Sequence, residues 1–107
     1  MSEEEALRHR LQALLIDGLA TEWRERAYDS EEVQAVTAAL RQLARDDLRG
    51  KLVVAGFTPI PYRPEGEEDL VQSCASCMYF ERHRCICDLP ELNLPVMPEW
   101  SCRLWRI

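Results

Sequence analysis

The sequence predicts a small, α-rich α+β protein in which an N-terminal helical hairpin packs against an irregular, cysteine-rich module. Three observations lead there. Two stretches of the first half repeat apolar residues at three- and four-residue intervals behind helix-capping residues. Pro59, Pro61 and Pro64 then forbid a helix and demand an extended connection. All five cysteines, Cys74, Cys77, Cys85, Cys87 and Cys102, follow that connection. With 107 residues the chain has room for one domain, or a small domain with an appended module. The expected division is a hairpin over 1–50, a proline-containing connector over 51–69 and a cysteine module over 70–107.

Ser2 followed by Glu5 forms a capping box, so a helix is expected to begin at once. Leu7, Leu11, Leu14, Leu15, Leu19 and Trp23 fall on one face of it, and Asp17-Gly18 is where it would bend or end. A second helix is expected behind Asp29-Ser30, with Val33, Val36, Leu40, Leu43, Ala44 and Leu48 as its stripe and Gly50 as its stop. The short connection near Tyr28 and Asp29 lets the two stripes bury each other. The same stripes could instead form a docking or homodimer surface anchored by Trp23, but an internal core is the simpler use of an amphipathic face. Leu52 to Phe57 reads as a short strand, and the acidic run Glu65 to Asp69 as a solvated boundary between modules.

Composition narrows the functions open to such a chain. An apolar content of 47% supports a core, and no run approaches the roughly 20 apolar residues of a membrane span. The net charge of −6 opposes nucleic-acid binding. That charge lies wholly in residues 1–69, with 9 basic and 15 acidic groups, while residues 70–107 carry 4 of each. The acidic start, Met1-Ser2-Glu3-Glu4-Glu5, is unlike a secretory signal, so a cytoplasmic location is expected. In a reducing compartment, clustered thiols point to metal or redox chemistry rather than disulfides.

Cys74-Ala-Ser-Cys77 allows one tight turn to aim two thiolates at a common metal, and free amides of the turn can offset their charge. Two further ligands must come from Cys85, Cys87 and Cys102, with His83 as an outsider. The set Cys74, Cys77, Cys85 and Cys102 spans the module and leaves Cys87 as a small buried thiol. The set Cys74, Cys77, Cys85 and Cys87 would form a compact knuckle but leave Cys102 idle between Trp100 and Trp105. The wider set is favoured, and whether Cys85 or Cys87 supplies its third ligand stays open.

The run Cys74-x-x-Cys77-x-Tyr79-Phe80, a cysteine before Leu89-Pro90, and Trp100-x-Cys102-x-x-Trp105 resemble the high-potential iron-sulfur proteins over residues 74–105. The segment is also similar to small cysteine-rich bacterial modules. The first resemblance implies a 4Fe-4S cluster held by Cys74, Cys77, Cys85 and Cys102, with Tyr79, Phe80, Trp100 and Trp105 shielding it from water. It further implies an electron-transfer or accessory protein working with a protein redox partner.

The competing expectation is a structural zinc site in an adaptor that binds a protein through its acidic helical region. Zinc would explain a module too small for its own core, although zinc ribbons offer two close cysteine pairs and this chain offers one. Enzymatic turnover is not expected. The four glycines are scattered rather than gathered in a phosphate loop, and His9 and His83 lie in unlike regions.

Overall fold

The structure, a computed structural model, describes residues 2–23, 27, 29–63, 66 and 71–106. Helices α1 (Glu3–Ile16), α2 (Ser30–Arg41) and α3 (Leu48–Val54) precede a 3₁₀ turn at Cys74–Ser76 and three strands, β1 (Phe80–Glu81), β2 (Ile86–Cys87) and β3 (Leu94–Pro95). The strands pair antiparallel in the order β1-β2-β3, with Cys87 opposite Phe80 on one side and Leu94 on the other. The result is the small α+β fold expected from the sequence. Among the described residues no helix is long and apolar enough to cross a membrane.

Each helix starts where a side chain satisfies an orphan amide. Ser2 Oγ accepts from the Glu5 amide at 3.1 Å, and Asp29 Oδ1 accepts from the Glu32 amide at 2.8 Å. A third cap, Asp47 Oδ1 accepting from the Gly50 amide at 2.9 Å, starts α3 and corrects two expectations. The second helix stops at Arg41 instead of reaching Leu48, and Gly50 lies inside α3 rather than ending a helix. Leu52 to Val54, expected in a strand, are helical for the same reason.

α1 ends before the left-handed Gly18, whose φ is +97°, so Leu19 and Trp23 leave the helix. Leu19 still packs on the core, and Trp23 meets the Tyr62 ring edge-on at 5.2 Å. Gly56 (φ +67°) turns the chain out of α3 in a place where a Cβ would come within 3.0 Å of the Arg103 side chain and 3.1 Å of the Glu22 backbone. The connector then docks on the cysteine-bearing half through antiparallel bridges, Thr58 to Ser101 and Tyr62 to Gln72. Tyr28 and, apart from Gly66, the acidic run Glu65 to Asp69 lie outside the described residues.

The halves share one core. α1 lies against β3 and α2 against α3. Leu11, Leu15, Val36, Leu40 and Leu52 from the helices pack with Leu92, Leu94, Val96, Trp100 and Leu104 from the module. Two buried cations fasten the arrangement. Arg8 shares the face of α1 that carries Leu11 and Leu15; its Nε donates to the Val96 carbonyl at 3.0 Å, and its Nη2 to the Arg84 and Cys85 carbonyls at 2.7 and 3.0 Å. Lys51 Nζ donates to the Leu92 carbonyl at 2.8 Å.

Replacing Arg8 with methionine keeps much of the aliphatic bulk but removes the side-chain donors to the Arg84, Cys85 and Val96 carbonyls, of which Cys85 keeps the Val96 amide at 2.9 Å. The expected loss is about 2 to 4 kcal/mol in urea unfolding at unchanged m-value, and Arg8→Lys should recover little of it because an ammonium lacks the planar fork. A loss under about 0.5 kcal/mol would show that solvent reaches these carbonyls and that the fork does not tie the halves together.

Candidate metal centre

The C-terminal tail builds the site by holding the Cys74–Cys77 turn on both sides. The amides of Cys74 and Ala75 donate to the carbonyls of Trp100 and Pro98 at 2.6 and 3.0 Å, and the Met78 amide donates to the Arg106 carbonyl at 2.7 Å. The Cys77 amide closes the turn onto the Cys74 carbonyl at 3.0 Å. Cys102 lies between these contacts in the chain, so it is carried over the turn. Trp105 follows it, with Nε1 donating to Ser76 Oγ at 3.1 Å. Cys87 arrives separately on the central strand β2.

These elements surround an apolar pocket lined by Cys74, Cys77, Cys87 and Cys102 together with Phe57, Phe80 and Trp105. Its open space is about 280 Å³ counted to the mouth, and the enclosed part admits the centre of about one water-sized body, about 10 Å³. Cys74, Cys87 and Cys102 are buried and Cys77 is half-buried. Among the described residues no three His, Cys, Asp or Glu side chains are grouped to hold a metal ion. The four thiols share the walls of this one pocket.

Burial dominates their electrostatics. It pushes the Cys74 thiol well above its ordinary range, helped by the neighbouring Cys102, Cys87 and Cys77. Cys87 is pushed up to about 12, first by burial and further by Cys77 and Asp88, against a hydrogen bond from the Leu89 backbone. Cys102 is also raised by burial and by Cys87 and Cys77, while the Leu104 backbone and Arg106 oppose the shift. The two backbone hydrogen bonds and Arg106 are the groups that favour thiolate charge here.

Of the cysteines expected from the wider ligand set, the structure brings Cys74, Cys77 and Cys102 to this pocket and keeps Cys85 out of its lining. Cys87, expected to be left over, takes the remaining place. The cause is local. Cys85 ends the turn between β1 and β2 with φ +52°, its Sγ lies 3.8 Å from the Arg82 carbonyl, and its own carbonyl accepts from Arg8. Regular strand alternation begins only at Ile86, so the two-residue spacing of Cys85 and Cys87 does not place them together. His83 and His9 are exposed, away from the pocket lining.

The expected aromatic shield divides in the same way. Phe80 and Trp105 line the pocket. Trp100 is fully buried behind it, edge-on to Phe57 at a ring separation of 6.0 Å. Tyr79 instead faces a surface cleft with Val33, Leu89, Leu104 and Arg106. Phe57, which the sequence reading did not select, is the third aromatic wall; its only signal was its place at the end of the apolar run Leu52 to Phe57.

Comparison with family models, with curated proteins and with solved structures finds no match for this chain. The donor set is consequently judged on its own chemistry. Four thiols without carboxylates, in an apolar recess, suit iron-sulfur or zinc centres, and two of the sulfurs already accept backbone hydrogen bonds of the kind that stabilise bound thiolates.

In the metal-free protein Cys87 holds its proton up to about 12, whereas an unfolded chain releases it near the ordinary value of about 8.5. Between those values unfolding sheds a proton, so stability is expected to fall as pH rises from about 9 toward 12. The check is urea unfolding of metal-free, reduced protein across that range; a flat profile contradicts the burial of these thiols. Alkylation at neutral pH should be slow at Cys74, Cys87 and Cys102 compared with Cys85.

Proposed function

We propose that Cys74, Cys77, Cys87 and Cys102 hold a 4Fe-4S cluster, and that the protein serves a protein redox partner as an electron-transfer or accessory component. The observation that carries this reading is that four thiols, with no carboxylate among them, line one apolar pocket together with Phe57, Phe80 and Trp105. A zinc ion would need the same four sulfurs at about 2.3 Å from its centre. Cys74 and Cys77 form the single close pair while Cys87 and Cys102 come from separate elements, a spread that favours a cluster over the two close pairs of a zinc ribbon.

When bound, a cubane of this type takes up and releases one electron at a potential set by its charge, hydrogen bonds and solvent exposure. The chain's own residues control all three. The Leu89 and Leu104 backbones donate to sulfur, Arg106 offsets charge near Cys102, and Phe57, Phe80 and Trp105 exclude water. Cys77 is the most accessible of the four, and its neighbour Met78 is 62% exposed, so a partner would approach nearest the centre at this corner.

Protein purified without oxygen should contain iron and sulfide and absorb visible light. Cys87→Ser and Cys102→Ser should each lose most of that iron and absorbance, while Cys85→Ser keeps both. Retention in Cys87→Ser with loss in Cys85→Ser would overturn the ligand set. One equivalent of zinc without iron or sulfide would reject the cluster and favour the adaptor reading.

A further inference from the structure

A second recess lies away from the thiols, where the end of α2, the segment leading to α3 and the Pro90–Glu91 turn meet. It is an open recess of about 390 Å³ lined by Leu40, Arg41, Leu43, Arg45, Lys51, Pro90 and Glu91. Lys51 is only 6% exposed, yet its ammonium has no carboxylate partner among the described residues. One of its three donors goes to the Leu92 carbonyl, which carries no full charge. Burial and the nearby Arg45 both disfavour its protonated form, and Asp46 and Asp47 only partly compensate. The one acid in the lining, Glu91, is engaged by Arg41 at 2.8 Å. The lining thus carries three cations, Arg41, Arg45 and Lys51, against one carboxylate, Glu91, in a protein whose net charge is −6.

We propose that this recess binds a small organic phosphate monoester, its dianionic headgroup between Lys51 and Arg45 and its apolar body against Leu40, Leu43 and Pro90. A lining with two more cations than carboxylates matches a dianion better than a monoanion, and Arg and Lys supply charge-assisted donors to phosphate oxygens. The volume lies within the range of small-ligand pockets. A buried cation that lacks an anion also explains why its occupant would raise stability: binding to the folded state alone supplies the missing partner.

The test is calorimetric titration of the intact protein, as purified, with phenyl phosphate, inorganic phosphate and benzoate at matched ionic strength and pH about 7.5, where a phosphate monoester is mostly dianionic. Saturable binding of one phenyl phosphate per chain is expected, tighter than inorganic phosphate, which lacks the apolar body, and tighter than benzoate, which has half the charge. Arg45→Gln alters an exposed side chain and should weaken phenyl phosphate about tenfold, with Lys51→Met weakening it further where urea unfolding shows the variant folded. Arg10→Gln, on α1 and outside the recess, should leave binding unchanged. Absence of saturable binding, equal affinity in Arg45→Gln, or preference for benzoate overturns the proposal.

Discussion

The site depends on one constraint: the C-terminal tail must lie across the Cys74–Cys77 turn. Three backbone hydrogen bonds, from Cys74 to Trp100, Ala75 to Pro98 and Met78 to Arg106, impose it. They leave residues 101–105 no course except over the turn, and that course carries Cys102 and Trp105 to the pocket. The tail is in turn held from behind. Thr58 and Ser101 exchange amide-to-carbonyl bonds at 2.9 and 3.0 Å, and the Arg103 amide donates to the Ala55 carbonyl at 3.0 Å. The end of α3 therefore serves as the floor on which the tail is laid.

This dependence explains why the chain needs its helices. Strands of two residues cannot make an independently stable sheet, and the cysteine-bearing half is too short a chain to be stable alone. Leu11, Leu15, Val36, Leu40 and Leu52 complete the core that Leu92, Leu94 and Val96 begin. Arg8 adds direction to that burial. Its planar fork binds the carbonyls of Arg84 and Cys85, just before β2, and of Val96, just after β3, and so fixes α1 over β3 through directional bonds that leucines cannot supply. Arg8 also takes the Cys85 carbonyl, which helps hold Cys85 in its left-handed turn while Cys87 stays on the pocket wall.

The thiol pocket and the Lys51 recess illustrate opposite uses of burial. Around the thiols, burial favours the neutral form and keeps water away, so charge on sulfur is stabilised only by backbone donors and Arg106. Around Lys51, burial leaves a cation short of a counter-charge, and the surrounding Arg45 intensifies the deficit. Both recesses draw on the same short stretch of chain, since β3 begins two residues after Leu92, the acceptor for Lys51, and pairs with the strand carrying Cys87.

The helical caps at Ser2 and Asp29, the α+β class, the extended path after Pro59 and the gathering of the cysteines after residue 73 were legible in the sequence. They follow from local rules: an oxygen at an N-cap, a proline without an amide, apolar residues on one helical face. The break at residues 42–47 and the third helix were not legible, because a single Asp47 cap and burial of Leu52 outweighed a periodic stripe that continued to Leu48. Nor was the choice between Cys85 and Cys87. Two thiols one residue apart look equivalent along the chain, and they separate only because Cys85 falls in a left-handed turn position while Cys87 pairs between Phe80 and Leu94. Phe57, Arg8 and Lys51 belong to the same class of facts. Whether an aromatic faces a pocket or a cation meets a distant carbonyl is decided by contacts across scores of residues, which only the tertiary structure brings together.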